Sequence, residues 1–204
     1  MKKIGITGTI AAGKTSVSIL LKRRGFSVFN SDQYARMATN SNNPCFAKIV
    51  EAFGEEIIGC DGDIDRKKLA DAVFHDEEKR QILNGIVHPY VREGLLKFFE
   101  RHAESPVVFA EVPLLFEAGW QELFDMSLVI TCDEETAIAR MMEDRGYSEE
   151  EARARYQSQL DPQKQISMAD KVIYNNSTLS DLDHEINLFV RDLRKEIRNG
   201  NQSL

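Results

Sequence analysis

The sequence predicts an α/β protein built around a doubly wound parallel sheet, and three observations support this. A short β-type run at residues 4–7 leads through a glycine-bounded turn into a segment of helical periodicity. Two further apolar runs, residues 107–111 and 127–131, have the continuous hydrophobicity of strands buried on both faces. Helical patterns separate these runs, and strands that alternate with helices are typical of a parallel sheet. A length of 204 residues suits one domain with insertions, or one core that carries two small subdomains.

The turn after the first strand contains the pattern Gly8-x-x-x-x-Gly13-Lys14-Thr15. Between a strand and a helix this pattern indicates a P-loop, in which backbone N–H groups and the helix N-terminus converge on phosphate groups. Lys14 can reach the β- and γ-phosphates, and the Thr15 hydroxyl can ligate Mg²⁺. The glycine spacing of a dinucleotide-binding loop is absent. We expect seven residues to bind the nucleotide: Gly8, Ala11, Ala12, Gly13, Lys14, Thr15 and Ser16.

Composition and charge exclude several classes of protein. The net charge of −7 argues against a nucleic-acid partner, because neutralising phosphate backbones requires a basic surface. No apolar run approaches the length of about 20 residues that a membrane span needs, and the first residues lack a signal-peptide pattern. Cys45, Cys60 and Cys132 are widely separated, which argues against a zinc site or a disulfide framework. We therefore expect a cytoplasmic protein.

Residues 26–29 predict a second strand, which ends at Asn30-Ser31-Asp32. Asp32 has two interpretations. Its side chain can cap a following helix, as Asp often does. Alternatively, its carboxylate faces the phosphates across the carboxyl edge of the sheet and accepts a proton from an attacking hydroxyl.

The segment after Asp32 is predominantly helical. A polar break at residues 39–44 predicts an exit from the core, and helical patterns follow to residue 86. We expect His88-Pro89 to end this segment and a new helix to occupy residues 91–104. A lone His before Pro is more often a local hydrogen-bonding residue than a catalyst.

A carboxylate and four arginines complete the candidate site. Glu111 ends the third predicted strand, where an acidic residue of a P-loop enzyme can hold Mg²⁺. A predicted helical hairpin from residue 134 carries the arginines, and Ser148 with Glu151 predicts a capping box between its helices. The hairpin is either a solvated helix pair, whose acidic residues neutralise the arginines, or a lid over the phosphates. The P-loop favours the lid, because phosphoryl transfer needs charge neutralisation and exclusion of water. The arginines are Arg140, Arg145, Arg153 and Arg155.

These motifs, with others in the same order, resemble the dephospho-CoA kinase family along nearly the whole chain. Together their order is specific, and Pro-Leu-Leu-Phe-Glu with His-Pro upstream is not a pattern that kinases share in general. Besides the P-loop and Asn30-Ser31-Asp32, the resemblance rests on Asp65-Arg66-Lys67-Lys68-Leu69, Val87-His88-Pro89, Pro113-Leu114-Leu115-Phe116-Glu117, Arg140 with Arg145, Arg155 with Gln159, and Ala169-Asp170-Lys171-Val172-Ile173 before Asn175.

The resemblance implies a P-loop kinase fold and transfer of the ATP γ-phosphoryl group to the 3′-hydroxyl of dephospho-CoA, with ATP and Mg²⁺ as cofactors. It implies a monomer or weak homo-oligomer with three parts. These are a nucleotide-binding core (residues 1–32, 90–133 and 166–204), a helical CoA-binding region (33–89) and a helical lid (134–165).

The resemblance also implies roles for individual residues. Asp32 is the general base, while Lys14 and Mg²⁺ neutralise the β- and γ-phosphates. Arg140 and Asn175 belong to the nucleotide side, and Arg155 is a second phosphate clamp. The residues that line or support the CoA pocket are His88, Leu114 and Leu115.

The P-loop departs from the family pattern Gly-Gly-Ile-Gly-Ser-Gly-Lys-Ser/Thr. Thr9 and Ala11 replace two glycines, and Ala12 replaces the serine. Because alanine disfavours a positive φ, we expect ordinary backbone dihedrals at Ala11 and Ala12. Ser177 stands where the family often has glycine.

Two other functions remain open from the residues alone. One is a P-loop kinase that phosphorylates a nucleoside monophosphate or another small alcohol. The other is a nucleotide-dependent switch without an acceptor. The long helical segment suits an extended acceptor, and the Asp32 carboxylate with the arginine-rich hairpin argues against the switch.

Overall fold

The computed structural model describes residues 1–74 and 76–201 and divides into two compact units. The core unit comprises Met1–Phe29 and His102–Leu204, and the helical unit comprises Asn30–Arg101. The predicted segments 33–89 and 166–204 each contain residues outside the described ranges, namely His75 and residues 202–204. The three-part division implied by the resemblance stays a prediction.

A five-stranded sheet forms the centre of the core unit. Its order is β2-β3-β1-β4-β5, and β1 lies parallel to both β3 and β4, with β5 parallel to β4. The predicted α/β class with a parallel sheet is confirmed. The strands are β1 (Lys2–Gly8), β2 (Ser27–Asn30), β3 (Val107–Glu111), β4 (Met126–Thr131) and β5 (Lys171–Tyr174).

Helices flank the strands in sequence and make up most of the helical unit. Those of the described residues are α1 (Lys14–Arg23), α2 (Ser31–Arg36), α3 (Phe46–Phe53), α4 (Arg66–Phe74), α5 (Glu77–Arg101), α6 (Glu134–Arg145), α7 (Glu149–Gln157), α8 (Pro162–Met168) and α9 (Leu179–Asn201). Helix α8 was not predicted. None of the helices in the described residues is both long and apolar enough to cross a bilayer.

Apolar residues of the sheet and of helices α1 and α9 share one buried cluster. Ile4 and Ile6 of β1 are fully buried, as are Leu21 of α1 and Ile186 of α9. Phe109 of β3, also fully buried, makes an edge-to-face contact with Phe26, with the ring centroids 5.2 Å apart. Burial of this size holds β1 and α1 in a fixed relation, and the P-loop is the segment that joins them.

The strand order opens a crevice at the carboxyl ends of β1 and β3. The connection after β1 leads to β2 on one side of the sheet, whereas the connection after β3 leads to β4 on the other. Adjacent strands whose connections diverge leave room for a ligand between them. The P-loop and Glu111 both lie at this crevice.

Helix α5 runs through Pro89, and the predicted helix end at His88-Pro89 is wrong. The helix has 25 residues, although proline removes one hydrogen-bond donor and crowds the preceding turn. Packing within the helical unit offsets this cost. Tyr90 stacks on Tyr34 of α2 at 4.8 Å between ring centroids, and Gly94 lies directly beneath the Tyr34 ring.

We expect Gly94→Ala to destabilise the protein, since the added methyl group would overlap the Tyr34 ring, which Tyr90 holds in place. The expected loss is about 1–3 kcal/mol of unfolding free energy, as for other overpacked sites. Gly85→Ala in the same helix is the control. A methyl group there meets nothing within 4 Å, and we expect a gain of about 0.5–1 kcal/mol. Urea unfolding followed by circular dichroism measures both, and a Gly94→Ala variant as stable as Gly85→Ala would contradict the packing argument.

Candidate nucleotide-binding site

The P-loop leaves β1 at Gly8 and enters α1 after Gly13. Both glycines have a positive φ, of 139° and 94°. At Gly8 a side chain is excluded for a second reason as well, because its Cβ would overlap the Ile130 carbonyl of the neighbouring strand. The loop therefore starts with its backbone in close contact with the backbone of β4. This contact keeps the N–H groups of the loop near the edge of the sheet.

Ala11 adopts a left-handed backbone with a φ of 57°, and the prediction of ordinary dihedrals at this residue is wrong. Alanine in this region costs about 1–2 kcal/mol, because its Cβ crowds the following carbonyl group. The local preference of alanine predicts ordinary dihedrals, but contacts with distant residues also act on the loop. The Ala11 carbonyl accepts a hydrogen bond from Arg140 at 3.3 Å, a contact with a residue 129 positions away.

Lys14 folds back over the loop. Its ammonium donates hydrogen bonds to the carbonyl groups of Gly8 and Thr9, both at 2.8 Å. These two carbonyls belong to the start of the loop, so the side chain spans the loop from its helical end to its strand end. The positive charge is thereby fixed at the loop.

Glu111 at the end of β3 is buried, with 4% of its surface exposed, and contacts α1. Its Oε1 accepts a hydrogen bond from the Thr15 hydroxyl at 3.0 Å, and its Oε2 accepts one from Ser18 at 2.7 Å. The structure thus brings together the two predicted metal ligands. Ser18 was missed, although its position three residues after Thr15 places the two hydroxyls on neighbouring parts of the helix surface.

The chemistry of this donor set fits Mg²⁺. Carboxylate and hydroxyl oxygens are hard ligands, and Mg²⁺ typically takes one or two protein oxygens while keeping water and phosphate oxygens for the rest. In the described residues, no three His, Cys, Asp or Glu side chains gather into a metal-binding group. An all-protein metal cage is thus not formed by those side chains.

Arg140 of α6 and Asn175 after β5 contact the loop from the side opposite β3. Arg140 donates to the carbonyls of Ala11 and Ser177, and the buried Asn175 donates to the Ala12 carbonyl at 2.8 Å. A cavity of about 540 Å³ lies here and is lined by parts of the loop, by polar residues and by two leucines of α9. It extends from the loop along α6 and the start of α9.

The other arginines of the hairpin have different surroundings. Arg153 forms ion pairs with Glu134, Glu135 and Glu149, at 3.4, 3.2 and 2.9 Å, and so connects α6 with α7. The Arg155 guanidinium lies 4.4 Å from the centre of the Tyr147 ring. The predicted capping box of Ser148 and Glu151 is confirmed.

Gln159 also belongs to the site, although the sequence indicates it only as part of a motif with Arg155. Its Oε1 accepts a hydrogen bond from the Ile10 N–H at 2.7 Å, across 149 positions of the chain. The spacing of four between Arg155 and Gln159 was the available signal. It did not indicate which side chain would reach the loop.

Predicted acceptor-side residues occur in both units. In the helical unit, Asp32 is exposed in the first turn of α2, and the cap is Asn30, which accepts from the Gln33 N–H at 2.7 Å. His88 is half-buried in α5, and burial lowers its pKa.

In the core unit, Leu114 and Leu115 follow β3 but differ in burial. Leu115 is fully buried, whereas Leu114 is 49% exposed. Leu115 therefore packs in the interior, and Leu114 is the one whose side chain offers apolar surface to a ligand.

Comparison with known proteins identifies the family. A family model described as dephospho-CoA kinase matches residues 2–181. A dephospho-CoA kinase of Bacillus cereus is 41% identical over 178 residues, which cover 86% of this chain and 89% of the relative. The enzyme of Streptomyces avermitilis is 38% identical over 186 residues, or 91% of each chain.

Solved structures agree with this assignment. Dephospho-CoA kinase from Campylobacter jejuni superposes with a TM-score of 0.74 at 29% identity, covering 96% of this chain and 99% of its own. TT1252 from Thermus thermophilus gives a TM-score of 0.81 at 34% identity, covering 94% and 97%. A gluconokinase from Sinorhizobium meliloti, 13% identical with a TM-score of 0.52 over 98% and 97% of the chains, shares the fold alone. By sequence and by structure, the chain belongs to the dephospho-CoA kinase family.

Proposed function

We propose that this chain transfers the γ-phosphoryl group of ATP to the 3′-hydroxyl of dephospho-CoA, with coenzyme A and ADP as products. The observation that carries the proposal is a P-loop at the carboxyl end of the central strand, in a chain that matches the dephospho-CoA kinase family over residues 2–181. Incubation with ATP, Mg²⁺ and dephospho-CoA, followed by mass spectrometry, tests it directly.

On the donor side, the loop binds the phosphates of ATP through its N–H groups and the positive end of the α1 dipole. Lys14 exchanges its contacts with the Gly8 and Thr9 carbonyls for the β- and γ-phosphate oxygens. Arg140 of α6 lies on another side of the loop and acts on the same β- and γ-phosphates. Its guanidinium, already directed at the loop, stabilises the negative charge that spreads over the transferred group.

Thr15 and Glu111 would hold Mg²⁺ beside the loop. Their adjacency, with 3.0 Å between the hydroxyl and the carboxylate oxygen, supports this role. The ion supplies charge neutralisation for the β- and γ-phosphates. Ser18 keeps the second carboxylate oxygen in place, which fixes the orientation of Glu111.

On the acceptor side, Asp32 takes the proton of the ribose 3′-hydroxyl as that oxygen attacks the γ-phosphorus. Asn30 is the cap of α2, so helix capping does not explain the carboxylate of Asp32 in the first turn of that helix. His88, Leu114 and Arg155 are assigned to acceptor binding, with Leu115 as support beneath Leu114.

Replacing Asp32 by Asn should reduce transfer by about 10²–10⁴-fold, since a neutral amide cannot accept the proton. ATP binding should persist, because the phosphates are bound by the loop. Coupled ADP-release kinetics and nucleotide titration measure the two properties. Asp71→Asn, an exposed carboxylate on α4, is the control and should leave both unchanged. Near-normal turnover of the Asp32→Asn variant would remove its role as base.

Replacing Glu111 by Gln should raise the Mg²⁺ concentration at half-maximal activity by at least about tenfold, because a charged oxygen ligand becomes neutral. The amide retains hydrogen-bonding capacity toward Thr15 and Ser18, so the fold should survive. Glu104→Gln is the control, because it neutralises an exposed carboxylate that precedes β3, at the end of the sheet away from the loop. It should leave the Mg²⁺ midpoint unchanged. Equal shifts in the two variants would argue against Glu111 as a ligand.

Replacing Arg140 by Ala should lower transfer by on the order of 10²–10³-fold, as for other cations that stabilise a transferring phosphoryl group. Arg153→Ala removes the same charge from the hairpin, but Arg153 is neutralised by three glutamates. We expect less than about a threefold effect for it, in line with exposed ion pairs. Steady-state rates of both variants show whether the effect comes from a contact of Arg140 with the phosphates or from the total charge of the hairpin. Equal losses of rate in the two variants would contradict the role of Arg140.

A further inference from the structure

Three consecutive residues of the P-loop are each bonded to a side chain from a different element. Ile10 donates to Gln159, which follows α7; Ala11 accepts from Arg140 of α6; and Ala12 accepts from Asn175, which follows β5. We propose that these contacts, and Gln159 in particular, hold the left-handed conformation of Ala11 and thereby position the loop for ATP. The proposal rests on the proposed function, because it assumes that the loop binds ATP.

The conformation of Ala11 needs external support. Glycine populates a positive φ about as readily as a negative one, whereas alanine is disfavoured there. Rotation of Ala11 out of the left-handed region would turn its two flanking peptide groups. Arg140 contacts the carbonyl of one of these groups, and the Ile10 and Ala12 contacts hold the next peptide group on each side, so all three oppose the rotation.

The methyl group of Ala11 gives a reason for alanine at this position. Ile10 and Ala11 pack against a small buried cluster of the α6–α7 hairpin. This cluster contains Ile138, Met141 and Ala152. A glycine would relieve the strain at position 11 but would lose this apolar contact. The two effects oppose each other, so we expect Ala11→Gly alone to change the free energy of unfolding little.

Gln159 is a positioning residue rather than a phosphate ligand. Its oxygen accepts a hydrogen bond from the Ile10 N–H at 2.7 Å, which commits that donor to a contact within the protein. An amide oxygen does this without adding a negative charge near the triphosphate. A glutamate would accept the same hydrogen bond and repel the ligand.

A double-mutant cycle tests the coupling between Gln159 and Ala11. In the otherwise unchanged protein, we expect Gln159→Leu to raise the dissociation constant for ATP about tenfold, because Ala11 loses support for its left-handed conformation. In the Ala11→Gly background, Gln159→Leu should cost less than about threefold, because glycine holds the left-handed conformation unaided. In steady state the KM for ATP should rise, with kcat at saturating ATP nearly unchanged. Equal losses in the two backgrounds would overturn the proposal.

Hydrogen exchange on the nucleotide-free protein separates this proposal from the proposed function. Gln159→Leu should speed hydrogen exchange of the Ile10 amide. Unchanged exchange would overturn the proposed role of Gln159, whether or not the protein binds ATP. Wild-type protein that binds no ATP would instead overturn the proposed function. Gln157→Leu, exposed at the end of α7, is the control and should alter neither readout. Gln159→Ala serves as the second variant if the Gln159→Leu protein does not fold.

Discussion

The nucleotide site depends on one constraint, the path of the backbone over the carboxyl end of β1. At Gly8 the chain passes the Ile130 carbonyl so closely that a Cβ has no room, and at Ala11 it turns through a left-handed residue. This path determines where each N–H group of the loop is directed. The contacts of Lys14, Gln159, Arg140 and Asn175 are all made to this backbone, so they depend on it and also stabilise it.

The second constraint on the site comes from Glu111. A buried carboxylate destabilises the fold unless both of its oxygens accept hydrogen bonds. Hydroxyls of α1 pair both oxygens, and this ties the end of β3 to the helix that follows the P-loop. The pairing spans the crevice between β1 and β3, which the diverging strand connections create. The same interaction that satisfies the buried carboxylate therefore places a carboxylate and a hydroxyl together at the start of α1, beside the P-loop.

The sequence predicts most of the sheet and the P-loop, because these depend on local patterns. Apolar runs identify β3 and β4, and the spacing of Gly8, Gly13 and Lys14 identifies the loop. The failures involve distant contacts. Helix α5 continues past Pro89 because Tyr34 packs on the following turns, and Ala11 is left-handed although its own preference opposes this. Gln159 lies 149 positions from its partner, and no local pattern reports such a pairing.

The hairpin arginines show why charge pattern alone left two interpretations. Acidic residues favour the first turn of a helix, and Glu134, Glu135 and Glu149 occupy the first turns of α6 and α7. Arg153 lies within reach of all three and is neutralised. Arg140 is six residues beyond Glu134, or about 9 Å along α6, and it donates to the loop instead. The position of an arginine relative to the helix start, which composition does not record, thus separates a structural ion pair from a cation directed at the P-loop.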